Sequence, residues 1–236
     1  MISPERIRSN LDLVRARIKA AGGDPGSVTI VAVTKAWPVD VARAAIAAGL
    51  EDLGENYAQE LEAKAASLAT NAPAGVPKVR WHFIGRLQQN KVKLLAPHVA
   101  LWQSVDRPEV GRQIARYAPG AAVLVQVNAT GEPSKGGCLP ARVPALVREL
   151  GELGLSVQGL MAVGKHGDLA ATADAFRQTV ALADQLGLPV RSIGMTDDLE
   201  VGVRCGSTMV RVGRVLFGER PPRPADSRLG QLGVGN

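Results

Sequence analysis

Lys35 closes a short apolar run, and its position suggests chemistry more strongly than that of any other residue in the chain. The run from Thr29 to Lys35 reads TIVAVTK, and an apolar, β-branched run of this length predicts a buried strand. A lysine at the carboxyl end of a parallel strand lies where α/β folds place their functional groups. Its amine could form a Schiff base with a carbonyl compound, above all pyridoxal phosphate (PLP). The alternative is a lysine that only carries its charge out of a strand end into water.

Two segments near the carboxyl end of the chain could bind a phosphate. Thr196 offers a hydroxyl at the start of a short predicted helix, whose free amides attract an anion. Gly213 has no side chain to keep a phosphate from its backbone amide, and Arg214 adds a guanidinium beside it. The alternatives are simple helix capping over residues 196–198 and an ordinary turn at Gly213.

Arg211 stands inside the apolar run Met209–Val212, where a buried charge must be paired or must contact a ligand. One interpretation is an ion pair with a carboxylate of a neighbouring strand, such as Glu55. The other is contact with a nitrogen of a ligand ring. A protonated guanidinium would keep that ring nitrogen unprotonated, which makes the ring a weaker electron sink.

Three other segments give weaker signals. His82 alternates with apolar residues, as a barrel histidine with satisfied hydrogen bonds does. Cys138 is expected to be exposed enough to react, although nothing beside it in the sequence lowers its pKa. Residues 164–168, GKHGD, show no spacing typical of a metal site or a nucleophile, and we interpret them as a solvated loop.

Alternating helices and strands must position these residues. An N-cap and a proline begin a helix over 3–21, with apolar residues at three- and four-residue spacing. Apolar runs predict strands at 28–34, 52–55, 80–85, 100–104, 122–128, 157–163, 190–194 and 208–213. Helical patterns between them lie at 39–49, 57–70, 88–96, 107–117, 140–153, 169–187 and 197–204.

This order predicts an α/β fold, a single (β/α)8 TIM barrel with one extra N-terminal helix. Aromatic residues make up only 3% of the chain, so we expect a barrel interior of branched aliphatic side chains. An open, doubly wound sheet is the alternative, but its glycine-rich fingerprint does not follow the first strand. We expect one domain over 1–218 and a disordered, proline-containing tail over 219–236.

Composition argues against several classes of partner. The net charge is +6, yet no run of Lys or Arg exceeds two residues and aromatics are not interleaved with them, so no nucleic-acid partner is expected. No long apolar stretch predicts a membrane span. Cys138 and Cys205 are far apart, fit no metal spacing, and suit free thiols in a reducing cytoplasm.

The segments together resemble the pyridoxal phosphate homeostasis protein family, which is similar in turn to the barrel domain of alanine racemase. The matching stretches occur in order from about residue 30 to residue 218. They are VAVTK (31–35), DLGENYAQE (52–60), RWHFIGRLQQNK (80–91), SVDR (104–107), VQVN (125–128), GLM (159–161), GMTDDLE (194–200) and GSTMVRVGRVLFG (206–218).

The resemblance implies a cofactor site for PLP. Lys35 would carry the Schiff base, Arg211 would face the pyridine nitrogen, and Asn56 would lie near the cofactor. The phosphate would be held around Thr196, Gly213 and the adjacent Arg214. His82 and Met161, within matching stretches, are secondary candidates. The chain departs from the family at Trp37, often a second lysine, and at Arg86, often a histidine.

The resemblance also implies a function in vitamin B6 homeostasis. Such a protein would be a carrier or regulator of PLP rather than an enzyme, would affect amino-acid and keto-acid balance, and would supply PLP-dependent apo-enzymes. We expect a monomer or a weak homodimer. The alternative is a PLP-dependent amino-acid racemase of the alanine racemase type, which needs an acid or base on each face of the substrate Cα.

Overall fold

A computed structural model describes residues 2–70, 79–132 and 136–219, and its eight strands form a closed parallel barrel. Each strand pairs with the next in the chain, and the last pairs with the first, with Thr29 opposite Met209 and Ala32 opposite Val212. The predicted barrel is therefore confirmed and the open sheet is excluded. The strands are β1 (Thr29–Val33), β2 (Asp52–Glu55), β3 (Arg80–Phe83), β4 (Val99–Val105), β5 (Ala122–Val127), β6 (Ser156–Ala162), β7 (Val190–Ser192) and β8 (Met209–Val212).

Helices surround the barrel in the predicted order. They are α1 (Pro4–Ala20), α2 (Val39–Ala47), α3 (Ala58–Thr70), α4 (Val92–Leu95), α5 (Pro108–Tyr117), α6 (Val143–Glu152), α7 (Leu169–Gln185), α8 (Leu199–Arg204) and α9 (Arg214–Phe217). The predicted helices at 88–96 and 140–153 each open with a 3-10 turn, Gln89–Lys91 and Pro140–Arg142. Helix α9 was not predicted, because four residues are too few to show a helical period.

The extra N-terminal helix α1 forms as its sequence predicts. The Ser3 hydroxyl accepts a hydrogen bond from the Arg6 amide at 3.3 Å, and Pro4 occupies the first turn. Its buried face consists of Ile7, Leu11, Val14 and Ile18. This face packs against α2, α8 and α9, so α1 supports the segments that follow β7 and β8.

The barrel interior differs from the sequence expectation. One apolar layer lies there, formed by Val31, Leu101, Leu124, Met161 and Met209. The interior also holds hydrogen-bonded polar side chains, which an all-aliphatic filling would exclude. These buried polar residues are Asp52, His82, Gln103, Ser192 and Arg211.

Two further sequence expectations concern the carboxyl-terminal tail and membrane-spanning helices. The tail predicted over 219–236 lies, apart from Glu219, outside the described residues, and the domain boundary at 218 stays a prediction. In the described ranges, none of the helices has the length and apolar character needed to cross a bilayer.

Candidate functional site

A cleft of about 360 Å³ opens at the carboxyl ends of the strands, where a parallel barrel places its ligands. It brings together five residues predicted from the sequence, which are Lys35, Thr196, Arg211, Gly213 and Arg214. Lys35 lies two residues after the end of β1, and Gly213 directly follows β8, so both are at the carboxyl ends of neighbouring strands. Val33, Ile84 and Val163 supply apolar lining.

The backbone around Lys35 is tightly held. The Thr34 amide donates to the Gly54 carbonyl at 3.0 Å, and the Ala36 amide donates to Glu60 Oε2 at 2.8 Å. Ala36 has φ +62°, in the left-handed region that a non-glycine residue seldom adopts. The chain therefore turns sharply directly after Lys35, and this turn fixes where its side chain enters the cleft.

A buried carboxylate lies beneath this turn. Glu55 Oε1 accepts hydrogen bonds from the Thr34 hydroxyl at 2.7 Å and from Lys64 Nζ at 2.5 Å. Lys64 Nζ also donates to the Thr34 carbonyl at 2.8 Å. Burial raises the pKa of Glu55, and the charge of Lys64 opposes that rise. Thr34 is thus bound through both its hydroxyl and its carbonyl.

The suggested ion pair between Arg211 and Glu55 is wrong, because Arg211 bonds to other strands. Its Nη1 donates to the Ser192 carbonyl at 2.5 Å and to the Ser192 hydroxyl at 2.6 Å, and Nη2 donates to the Ala162 carbonyl at 2.8 Å. Burial lowers the pKa of Arg211 to about 10, with the charge of Asp198 acting in the opposite direction. The guanidinium is therefore protonated at neutral pH.

The segments after β7 and β8 also line the cleft. Arg17 of α1 donates to the Thr196 carbonyl at 2.9 Å and holds this segment. Helix α8 begins after Asp198, whose side chain makes no cap hydrogen bond to the helix but accepts from the Met195 amide at 2.5 Å. Helix capping by this side chain therefore does not explain the segment.

Gly213 and Arg214 lie side by side at the cleft in different environments. A Cβ on Gly213 would lie 3.0 Å from the Val33 carbonyl oxygen, so the absent side chain allows β8 to approach β1 closely. The Arg214 guanidinium is half-exposed and paired with Asp197, and its Nε lies 3.9 Å from Glu219. Arg214 is thus present at the cleft, with a carboxylate already beside it.

The segment interpreted as a solvated loop, residues 164–168, also contributes to the cleft, and that interpretation was incomplete. Lys165 and His166 are exposed and line the cleft, together with Gly164 and Gly167. The Lys165 amide donates to the Thr172 hydroxyl at 2.8 Å, which ties the segment to α7. A signal was available in the sequence, since this segment directly follows the sixth predicted strand, where barrel loops carry function.

Asn56, His82 and Met161 are not among the residues that line the cleft. Asn56 follows β2, and its Oδ1 is buried without a hydrogen-bond partner in the described part of the chain. His82 is buried between Asp52 and Gln103, with 2.9 Å from Nε2 to Asp52 Oδ1 and 2.7 Å from Nδ1 to Gln103 Nε2. Met161 belongs to the apolar interior layer.

Cys138 is buried, not exposed as expected from the sequence. Its amide donates to the Gln126 carbonyl at 2.7 Å, and its carbonyl accepts from the Asn128 amide at 2.9 Å, so the segment lies along the end of β5. Burial raises the pKa of the Cys138 thiol. Both facts argue against a reactive thiolate at this position.

The fold and the lysine-bearing cleft define a class of protein. Residues 2–221 match the family model for the alanine racemase N-terminal domain. The solved alanine racemase of Corynebacterium glutamicum superposes with a TM-score of 0.68 at 18% identity, over 97% of this chain and 65% of that one. The chain is thus a barrel of the alanine racemase N-terminal type.

Curated relatives identify the family more closely. The pyridoxal phosphate homeostasis protein of Pseudomonas aeruginosa is 42% identical over 226 residues, 91% of this chain and 96% of its own length. That of Deinococcus radiodurans is 41% identical over 86% and 95%. The chain belongs to the pyridoxal phosphate homeostasis protein family.

Solved structures agree with this membership. PipY of Synechococcus elongatus, determined without PLP, is 32% identical, with a TM-score of 0.79 over 90% of this chain and 100% of PipY. PipY with PLP bound gives 30% identity and a TM-score of 0.76 over the same shares. The resemblance read from the sequence is therefore confirmed.

Proposed function

We propose that this protein binds PLP in the cleft, as a Schiff base on Lys35, and acts in vitamin B6 homeostasis as a carrier rather than an enzyme. The observation that carries the proposal is the meeting of Lys35, Arg211, Thr196 and Gly213 at one cleft. The PLP-bound structure of the relative PipY, over a nearly complete match, supports the same conclusion.

The described residues fit such a cofactor. Arg211 is protonated at neutral pH, and its three hydrogen bonds in the described structure use three of the five N–H groups of a guanidinium. A further N–H could therefore be given to the pyridine nitrogen. When bound, PLP supplies an electron sink, and a nitrogen that accepts from Arg211 stays unprotonated and weakens that sink. A weaker electron sink discourages full carbanion chemistry on the cofactor.

The phosphate would lie against Thr196 and Gly213, with Arg214 at the edge of the cleft. Thr196 and Gly213 both line the cleft, and Arg17 holds the Thr196 carbonyl. Arg214 already pairs with Asp197, so we assign it a smaller share of the phosphate charge than Thr196 and the backbone amides. Asn56, with its buried unpartnered Oδ1, remains a proposed neighbour of the cofactor.

The cleft also suits the delivery of PLP to other proteins. Lys165, His166 and Arg214 at its mouth are exposed, so a Schiff base on Lys35 would be within reach of water and of incoming amines. A closed site would release its cofactor slowly. We therefore infer that PLP-dependent apo-enzymes in the cytoplasm are the recipients.

The decisive experiment is the visible absorbance of the purified protein before and after borohydride reduction, with mass mapping of the peptides. We expect an imine band that reduction abolishes, and a pyridoxyl adduct on the Lys35 peptide. Lys35→Ala should lack both. Lys165→Ala, which removes a different cleft lysine, should retain both. No band after incubation of the wild type with PLP would overturn the proposal.

An amino-acid racemase is the alternative, and one observation favours testing it. His166 and Lys165 line the cleft in addition to Lys35, so further proton-transferring groups are present there. Exchange of the Cα proton of alanine or serine in deuterated water would measure such chemistry. A carrier should show no exchange above that of free PLP, whereas exchange that disappears in Lys35→Ala would favour the racemase.

A further inference from the structure

Five buried polar side chains form a continuous hydrogen-bonded chain through the barrel interior. It starts at Asp52, the first residue of β2, and ends at Arg211, which lines the cleft. Asp52 Oδ1 lies 2.9 Å from His82 Nε2, and His82 Nδ1 lies 2.7 Å from Gln103 Nε2. The chain then crosses the barrel, since the Ser192 hydroxyl donates to Gln103 Oε1 at 2.7 Å and accepts from Arg211 Nη1 at 2.6 Å.

The orientation of the Gln103 amide assigns a direction to the hydrogen bonds in this chain. The Gln103 amide nitrogen also donates to Met209 Sδ at 3.2 Å, so its two N–H groups point at Met209 and at His82 Nδ1. His82 Nδ1 must therefore accept, and the ring proton lies on Nε2, from which it is donated to Asp52. The carboxylate of Asp52 is held in turn by Arg80, at 2.7 Å to Oδ1 and 2.6 Å to Oδ2.

We propose that Gln103 and Ser192 are positioning residues for Arg211, oriented through His82 by the Asp52 carboxylate, and that they set how the guanidinium meets the cofactor ring. The inference rests on the proposed function, because it assigns the role of Arg211 to PLP. Neither Gln103 nor Ser192 lines the cleft, whereas Arg211 does, so the hydrogen-bonded route from them to the cofactor runs through Arg211. Ser192 holds Nη1 with both its carbonyl and its hydroxyl, and the hydroxyl is aimed by Gln103.

The free-energy cost of burying this hydrogen-bonded chain of polar side chains supports a functional role. Burying an amide, an imidazole and a hydroxyl in a barrel interior is unfavourable unless each group is hydrogen-bonded, and aliphatic side chains would fill the same space without that requirement. A role limited to stability predicts that breaking the chain lowers stability and leaves the cofactor unchanged. A positioning role predicts a changed cofactor environment that depends on Arg211.

Gln103→Met tests this proposal, since methionine has a similar volume and lacks both the amide donor and the amide acceptor. We expect the PLP dissociation constant to rise about 3- to 10-fold, as for the loss of a supporting partner of a binding group. The absorbance maximum of the imine, or the pH at which it titrates, should also shift. Ser192→Ala should change the dissociation constant and the imine spectrum in the same direction as Gln103→Met. Ser192→Thr, which keeps a hydroxyl, should lie between Ser192→Ala and the wild type in both measurements.

The control is Ser104→Ala, on the same strand. The Ser104 hydroxyl is equally buried and donates to the Gly85 carbonyl at 2.5 Å, outside the chain. It should lower stability without shifting the imine spectrum. A double-mutant cycle with Arg211→Lys is the sharper test: in the Arg211→Lys background, Gln103→Met should change the PLP dissociation constant less than 2-fold.

The same measurements separate a failure of the proposed function from a failure of this inference. Wild-type protein that forms no imine overturns the proposed function and this inference with it. Wild-type protein that binds PLP, while Ser192→Ala and Gln103→Met leave the dissociation constant and the spectrum unchanged, overturns the inference alone. Should Gln103→Met fail to fold, Ser192→Ala, which removes one oxygen, decides the same question. Equal effects of Gln103→Met in both Arg211 backgrounds would also count against the positioning role.

Discussion

At the scale of single residues, the position of Lys35 could be predicted and its surroundings could not. The apolar run before it and its place at a strand end are local properties of the sequence. The left-handed backbone of Ala36 and the bond from its amide to Glu60 depend on α3, more than 20 residues further along the chain. The Glu60 carboxylate thus stabilises a turn that the residues around Lys35 do not predict.

Ala36→Gly should stabilise the protein. Among the residues that the structure describes, Ala36 is the one non-glycine residue whose φ lies in the left-handed region, where a Cβ is strained. Relief of that strain, less the entropy that glycine loses on folding, should raise the free energy of unfolding by about 0.5–1 kcal/mol. Urea unfolding measures it. The control is Ala48→Gly, where φ is −82° and a loss is expected. A loss at both positions would show that the turn after Lys35 is not strained.

Asp52 should make stability depend on acid. Burial alone would raise its pKa, but the hydrogen bonds from Arg80 and His82 and the charge of Arg80 lower it from 3.8 to about 2. A carboxylate with a lowered pKa in the folded state stabilises fully above the unfolded value and loses that contribution as pH falls from about 4 towards 2. Because Arg80 is half-exposed, solvent screens its charge, and we expect the Asp52 carboxylate to contribute about 1–2 kcal/mol to the free energy of unfolding at neutral pH.

Urea unfolding at pH 7 and at pH 3 checks this contribution. The free energy of unfolding of the wild type should fall more between these values than that of Asp52→Asn, which keeps the size of the side chain and has no charge to lose. Asp12→Asn on the exposed surface of α1 is the control, with a fall like that of the wild type. Equal falls in all three proteins would mean that Asp52 titrates as it does in the unfolded chain.

At the scale of elements, the sequence predicts the type and order of strands and helices well, because each signal lies within one run of residues. The sequence does not predict contacts between elements that are distant along the chain. The bond between Ser192 and Gln103 joins residues 89 positions apart and exists only because the barrel closes. Trp37 packs edge-on against Phe217 of α9, with centroids 6.3 Å apart, which neither segment alone indicates.

Helix α1 should affect cofactor binding from a distance. Arg17 makes two bonds to Glu200, at 2.6 and 2.9 Å, and one to the Thr196 carbonyl at 2.9 Å. Arg17→Ala should release the Thr196 segment and raise the PLP dissociation constant about 3- to 10-fold, since positioning partners of a binding group carry effects of this order. Equilibrium titration with PLP measures it. Arg15→Ala, which breaks an exposed pair with Asp12 on the same helix, should leave the constant unchanged. Equal constants for both variants would show that α1 does not support the site.

At the scale of the whole molecule, closure of the barrel brings Lys35 and Arg211 to the same cleft. Lys35, just after β1, and Arg211 on β8 are distant in sequence, yet Val31 lies opposite Arg211 where the first and last strands pair. Glycines allow the strands to approach at two points of this ring. At Gly213 the neighbour is Val33 of β1, and at Gly159 of β6 it is Val190 of β7.

Gly159→Ala should therefore destabilise the barrel as a whole. A Cβ at this position would lie 1.9 Å from the Val190 carbonyl oxygen, and a backbone neighbour can yield only if β6 and β7 separate. We expect a loss of about 3 kcal/mol or more, as for overpacking in a core that cannot relax. Gly151→Ala is the matched control, since a Cβ in this part of α6 meets nothing within 4 Å and should stabilise the helix by about 0.5–1 kcal/mol. Thermal and urea unfolding measure both. Because Ser192 ends β7, Gly159→Ala should also weaken PLP binding. If the variant keeps the stability of the wild type, β6 and β7 do not approach as closely as 1.9 Å between a Cβ and the Val190 carbonyl oxygen requires.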